Sequence, residues 1–104
     1  MADLELELTS QSGSRADVTV HGEIDMATAP QLREFLDGLL AAGSRQIVFD
    51  CRDLGFLDSS GIGVLVAARN RLDDDGEIVV DSPPPHVRKV LEITGVNTHL
   101  TVTP

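Results

Sequence analysis

Residues 47–64 read IVFDCRDLGFLDSSGIGV, and this stretch decides the fold. Its first three residues are a short apolar run bounded by charge, which is typical of a central strand covered on both faces. Residues 51–58 are predicted to form a loop. From Ser59 to about Leu72 apolar residues recur at helical spacing, and Gly76 follows as a stop. The stretch therefore predicts a strand, a loop and a helix near 59–73.

The residues before this stretch predict a hairpin. Leucines alternate with acidic residues over 4–8, and valines alternate with polar residues over 17–20, a period of two that indicates two strands. The polar segment 11–15 predicts the turn between them, and the first strand is expected at a sheet edge. Residues 22–25 are predicted to leave the sheet.

A helix near 28–42 follows. Thr28 with Gln31 three residues later has the pattern of a capping box, and Pro30 falls in the first turn, where its missing donor costs nothing. Gly43 is placed to end the helix in a left-handed cap. Its apolar stripe consists of Leu32, Phe35, Leu36, Leu39 and Leu40.

The remaining residues complete an α/β pattern. Residues 77–81 predict a strand, three prolines at 83–85 precede a helix near 84–94 that Gly95 ends, and Leu100 and Val102 predict a terminal strand. Strands that alternate with crossover helices indicate a largely parallel sheet, here four- or five-stranded and mixed because of the antiparallel hairpin. We predict a single domain over 1–104.

Composition limits the partners. Seventeen acidic and eight basic side chains give a net charge of -9 over 104 residues, which argues against a nucleic-acid partner. The acidic surface serves either solubility or the docking of a basic partner. Cys51 is the only cysteine, so no intrachain disulfide and no multi-cysteine metal site is expected. The N-terminus has no signal-peptide pattern and no apolar run is long enough to insert into a membrane, so we expect a cytoplasmic protein.

The candidate site is the segment 57–63, which joins the carboxyl end of the central strand to a helix N-terminus. Ligands and modifications concentrate at such positions, because the first-turn donors are unpaired and the helix dipole is positive there. Ser59 would expose its hydroxyl at this point, and Gly61 and Gly63 would clear space above the backbone. The alternative is an ordinary N-cap formed by Asp58 or Ser59, with glycines that serve close packing.

Two motifs in one chain resemble a known family. Gly22-Glu23-Ile24-Asp25 and the segment 47–64 quoted above are similar, in order and spacing, to STAS domains of bacterial anti-sigma-factor antagonists. The resemblance implies that Ser59 is a phosphate acceptor, that Asp25 and Asp58 flank it, and that Ser60 is not the main acceptor. It also implies partner contacts around Gly61, Ile62 and Gly63. Many such antagonists carry a further C-terminal helix, which has no counterpart in the residues up to Pro104.

The resemblance also implies a mechanism of partner switching. The unphosphorylated protein would bind an anti-sigma factor that is itself a serine kinase, phosphorylation would release it, and a serine phosphatase would restore it. Neither enzymatic activity nor a cofactor is expected of the chain itself. The rival interpretation is a STAS subunit that docks constitutively on a membrane transporter ATPase, with Ser59 as a contact residue.

Other chemistry has little support in the sequence. His21, His86 and His99 could each supply a base to a serine nucleophile, but the nucleophile-elbow pattern is absent. Residues 73–75 are three successive aspartates, which resemble a solvated charge run rather than a calcium loop, and no P-loop pattern is present. No tightly bound metal and no hydrolysis are expected.

Overall fold

The computed structural model describes residues 3–104, which form five strands, three α-helices and one short 3-10 helix. In chain order they are β1 (Leu4–Ser12), β2 (Arg15–Ile24), α1 (Ala29–Ala41), β3 (Gln46–Leu57), α2 (Ser59–Asn70), β4 (Glu77–Asp81), α3 (Pro85–Thr94), the 3-10 helix Val96–Thr98, and β5 (Thr101–Thr103).

The five strands lie in the order β1-β2-β3-β4-β5. β1 pairs with β2 antiparallel, and the other three pairings are parallel. The predicted mixed sheet with an N-terminal hairpin at one edge is thereby confirmed. Each crossover advances one strand in the same direction, so right-handed connections place all three helices on one face of the sheet.

The central strand is covered on one face only, which corrects the expectation for residues 47–49. Ile47 and Phe49 are fully buried under the helices, whereas Val48, which points to the other face, is half-buried. A short apolar run cannot by itself distinguish cover on two faces from cover on one. The open face is largely polar and carries two ion pairs within strands, Arg15 with Asp17 and Arg52 with Asp50.

Residues 51–57, predicted as part of a loop, and residues 22–24, predicted to leave the sheet, are strand. β3 continues through residues 51–57, and its partner β2 continues to Ile24, which pairs with Leu57. Charged residues such as Arg52 and Asp53 are compatible with a strand here because they are exposed. Two register shifts along the β2–β3 pairing accommodate the irregular spacing of the buried residues. Gly22 has a φ of 105°, and a Cβ there would collide with the Asp3 carbonyl, which accepts a hydrogen bond from the Glu23 amide.

The helix predictions hold to within a few residues. α1 starts after Thr28, and Gly43 follows its end with a φ of 95°. α2 ends at Asn70, earlier than predicted, because the Arg71 amide turns back to the Ala68 carbonyl and Gly76 belongs to the turn before β4. α3 ends at Gly95, which has a φ of 73°. Within residues 3–104 no helix has both the length and the apolar character that crossing a membrane requires.

The reactivity and ionisation of the Cys51 thiol test whether this side chain is buried in the core. Its side chain is 4% exposed, and burial, with smaller contributions from Asp50 and Asp81, raises the pKa of the thiol to about 12. The unfolded thiol ionises at a lower pH than the folded one, so the free energy of unfolding should fall as pH rises from about 9 towards 12. We expect iodoacetamide at pH 8 to label Cys51 in urea but not in the native protein. Fast native labelling, or an alkaline slope unchanged in Cys51→Ala, would contradict this.

Candidate functional site

The site lies where β2 and β3 end side by side. Because the two strands are parallel, the residues after their carboxyl ends lie together along one end of the sheet, the carboxyl edge, which is distinct from the side of the sheet that β1 forms. The Asp58 amide donates a hydrogen bond of 3.2 Å to the Ile24 carbonyl, which fixes the two chain segments to each other. Asp25 and Asp58 therefore follow neighbouring strands at the same edge.

Asp58 is the N-cap of α2. Its Oδ1 accepts hydrogen bonds from the amides of Ser60 at 2.9 Å and Gly61 at 3.4 Å, and its carbonyl accepts from the Ile62 amide at 3.1 Å. The sequence was compatible with either Asp58 or Ser59 as the N-cap residue, and in the structure the N-cap is Asp58. Ser59 is then the first residue of the helix.

Two substitutions of Asp58 distinguish the contribution of its capping hydrogen bonds to stability from the contribution of its negative charge. Asp58→Ala should lower the free energy of unfolding by about 1 kcal/mol, because two first-turn amides lose their acceptor. Asp58→Asn retains an oxygen in the same position and should change stability by only a few tenths of a kcal/mol. Urea denaturation of both variants measures the difference. An equal loss in the two would show that the negative charge, and not the hydrogen bond, stabilises the helix start.

Asp25 holds the turn between β2 and α1. Its Oδ1 accepts from the amides of Ala27 at 2.8 Å and Thr28 at 3.0 Å. The Thr28 hydroxyl, which is buried, donates to the Glu23 carbonyl at 2.8 Å and accepts from the Asp25 amide at 2.9 Å. The carboxylate and the hydroxyl thus stabilise the same turn, and the position of Asp25 beside the site depends on both.

The capping box predicted for Thr28 and Gln31 is wrong. Thr28 occupies the N-cap position, but its side chain makes no capping hydrogen bond to the helix because the preceding turn uses the hydroxyl. The side-chain Nε2 of Gln31 donates to the Leu4 carbonyl at 2.8 Å and so connects α1 to the edge strand β1. A local sequence pattern could not reveal this partner, which lies 27 residues away.

Ser59 is exposed and Ser60 is half-buried, so the structure distinguishes the two neighbouring hydroxyl residues by their access to solvent. A serine at the first helical position, outside the core, is open to a modifying enzyme. Of the two serines, Ser59 is the more accessible.

The three residues that follow differ in environment. Gly61 is buried, and a Cβ there would lie 2.7 Å from Leu57 Cδ1 and closer still to the Ile24 side chain. Close packing therefore explains Gly61. Gly63 is exposed, and a Cβ there would meet nothing within 4 Å, so packing within the chain does not require this glycine. Ile62 is 6% exposed and belongs to the core, which leaves little of its side chain for a partner.

Sequence reasoning missed two apolar residues at this edge. Met26 is 77% exposed in the turn after Asp25, and Phe56 is 43% exposed two residues before Asp58. Phe56 pairs in register with Glu23 of β2, so both apolar residues lie on the segments that the Asp58–Ile24 hydrogen bond joins. Their only signal in the sequence is a large apolar side chain next to each acidic motif.

Two of the three histidines lie close to an oxygen atom of another residue. His86 Nε2 lies 2.7 Å from the Gly55 carbonyl, and His21 Nδ1 lies 3.4 Å from an Asp53 carboxylate oxygen. Among residues 3–104 no group of three or more histidine, cysteine, aspartate or glutamate side chains is arranged to hold a metal ion.

Comparison with known proteins agrees with this architecture. The family model described as "Mlab, STAS domain" matches residues 8–103. The anti-sigma-B factor antagonist of Staphylococcus aureus is 30% identical over 95 residues, covering 90% of this chain and 87% of that protein. The crystal structure of an anti-sigma factor antagonist from Mycobacterium paratuberculosis superimposes with a TM-score of 0.87 at 26% identity, covering 98% of this chain and 86% of the other.

The chain therefore belongs to the STAS domain family. Its similar relatives include proteins named as anti-sigma factor antagonists. SpoIIAA, at 24% identity in its unphosphorylated form and 22% in its phosphorylated form, shares the fold with TM-scores of 0.78 and 0.69; these alignments cover 98% of this chain and 89% and 92% of the SpoIIAA chains.

Proposed function

We propose that this protein is an anti-sigma-factor antagonist that is switched by phosphorylation of Ser59. Unphosphorylated, it binds an anti-sigma factor with serine kinase activity in the cytoplasm and so frees a sigma factor. Phosphorylation of Ser59 releases the anti-sigma factor, and a serine phosphatase reverses the modification. The chain acts as a binding module without a cofactor, and the chemistry belongs to its partners.

The observation that carries this proposal is the position of Ser59, exposed at the first residue of a capped helix at the carboxyl edge of the sheet. A kinase can reach the hydroxyl without unfolding the domain, and a partner that covers the edge must cover the hydroxyl as well. The names of the relatives from Staphylococcus aureus and Mycobacterium paratuberculosis support the same class of function.

The hydrogen bonds of Asp58 determine how a phosphate on Ser59 would act. Helix N-termini normally stabilise an anion by roughly 0.3–1 kcal/mol through free amides and the helix dipole. Here the amides of Ser60 and Gly61 already donate to Asp58. A phosphate therefore gains little from the helix start, and it should extend into solvent while the domain keeps its fold.

Electrostatics supplies the switch. Phosphorylation adds about -1.5 to -2 charges next to the Asp58 carboxylate and at the same edge as Asp25. A partner that covers Ser59 would have to desolvate this dianion. At an effective dielectric constant of about 20, one unfavourable charge contact at close range costs roughly 3–4 kcal/mol, and about 1.4 kcal/mol is already a tenfold change in affinity. Release thus needs no conformational change.

Phosphate mapping tests the proposal. The protein is incubated with ATP and each serine kinase encoded in its genome of origin, and the modified residue is located by mass spectrometry. We expect one phosphate on Ser59, none in Ser59→Ala, and nearly unchanged stoichiometry in Ser60→Ala, which retains the acceptor. Phosphate on Ser60, or the absence of any modification by all the kinases, would contradict the proposal.

The second candidate, a subunit that docks constitutively on a transporter ATPase, uses the same edge of the sheet without modification. The two candidates differ in one measurable respect, namely whether phosphorylation of Ser59 changes the affinity for the partner.

A further inference from the structure

Large apolar side chains are exposed at four positions in the described chain: Leu8, Met26, Phe56 and Ile93. Two of them, Met26 and Phe56, lie at the edge that holds Ser59. Leu8 lies on the edge strand β1, and Ile93 lies near the end of α3. Single exposed apolar residues are common on protein surfaces, whereas two at the same candidate site indicate a surface for interaction.

Neither side chain is needed at this edge to satisfy the turn or the cap. The turn is held by the Asp25 carboxylate and the Thr28 hydroxyl, and the cap is held by the Asp58 carboxylate. Met26 projects from the turn with 77% of its surface in water. Its apolar surface is thus available for a contact outside the chain.

We propose that Met26 and Phe56 are the apolar anchors by which the anti-sigma factor docks over Ser59. This inference rests on the proposed function and adds to it the residues that supply affinity and the chemistry of the partner surface. Aromatic residues are frequent energetic centres of protein interfaces, and methionine adapts its shape to a partner.

The charges around the two anchors define the complementary surface. Glu23 is exposed, Asp25 and Asp58 are half-buried, and all three carboxylates belong to the two chain segments that carry the anchors. The partner should therefore present an apolar surface that is rimmed by lysine or arginine side chains. Ser59 follows Phe56 by three residues, so a partner that buries the anchors is expected to cover Ser59 and to be opposed by a phosphate there.

The chain provides matched controls for this inference. Ile93 is 74% exposed and so matches Met26 at 77%, and Leu8 is 41% exposed and so matches Phe56 at 43%. Each pair loses a similar exposed apolar surface on substitution by serine, one member at the Ser59 edge and the other away from it.

The test measures, by calorimetry, the affinity of Met26→Ser, Phe56→Ser, Ile93→Ser and Leu8→Ser for the purified anti-sigma factor kinase that phosphorylates Ser59. We expect Met26→Ser and Phe56→Ser each to weaken binding by about tenfold or more, and the two controls to remain within about twofold of the wild type. Met26→Ser is the stricter variant, because a side chain so exposed contributes little to folding, and circular dichroism verifies the fold of each.

The outcomes separate the anchors from the proposed function. Wild-type affinity in both Met26→Ser and Phe56→Ser would overturn the anchors while antagonist binding itself stands. Equal losses in all four variants would also overturn them, because the effect would not be local. A wild-type chain that binds none of the anti-sigma factors of its organism would overturn the proposed function and the anchors together.

Discussion

Ser59→Asp is expected to weaken binding of the anti-sigma factor by about tenfold to thirtyfold, because one carboxylate supplies roughly half the charge of a phosphate and fewer acceptor oxygens. Ser59→Ala should fold normally and bind like the wild type, since the exposed serine contributes little packing. Because it cannot be modified, Ser59→Ala should behave as an antagonist that is permanently active.

Ser60→Ala is the matched control for these variants. Ser60 is the neighbouring residue and carries the same hydroxyl, but it is half-buried. Its removal should leave both phosphorylation and affinity largely intact. Affinities by calorimetry for the three variants and the wild type give the comparison, and a Ser59→Asp protein that binds as tightly as the wild type would argue against electrostatic release.

Gly61→Ala is expected to lower the free energy of unfolding by about 1–3 kcal/mol, the usual cost of overpacking a close-packed core. The added methyl group would press against Leu57 and Ile24, which are 4% and 3% exposed and have little room to move. To relieve this steric clash, α2 must shift away from the ends of β2 and β3. Such a shift would displace Ser59, so phosphorylation of the folded variant should slow as well.

Gly63→Ala, in contrast, should raise the free energy of unfolding. The position is exposed and in the same helix, and the new Cβ meets nothing within 4 Å. Alanine is the better helix former by roughly 0.5–1 kcal/mol, so stability should rise by about that amount. Urea denaturation of the two variants tests the packing at the helix start. Destabilisation by Gly63→Ala to the same extent as by Gly61→Ala would contradict the positions assigned to the two glycines.

The sequence predicted those elements whose signals are local. β4 matches the predicted residues 77–81, and α3 ends at Gly95 as expected, because an apolar run and a helix-ending glycine depend on near neighbours. Residues 51–58 were predicted as a loop, but β3 continues through Leu57. The sheet has an open face, however, and Asp53 remains exposed while its backbone pairs with His21 of β2.

The site was predictable in its position and less so in its contacts. The order of strand and helix placed Ser59 correctly at a helix N-terminus. Thr28 has the same local pattern whether its hydroxyl caps α1 or bonds to Glu23, and only the tertiary structure decides between them. The exposure of Met26 and Phe56 likewise depends on how two distant segments meet, so no spacing rule in the sequence could identify them.

The most direct test of the central claim is the affinity of one anti-sigma factor for the unmodified chain and for the chain phosphorylated on Ser59, measured by calorimetry in the same buffer. Phosphorylation is predicted to weaken binding by about a hundredfold or more, which corresponds to the penalty of roughly 3–4 kcal/mol for covering the phosphate. Equal affinities for the two forms would contradict the switch and would favour a subunit that docks constitutively.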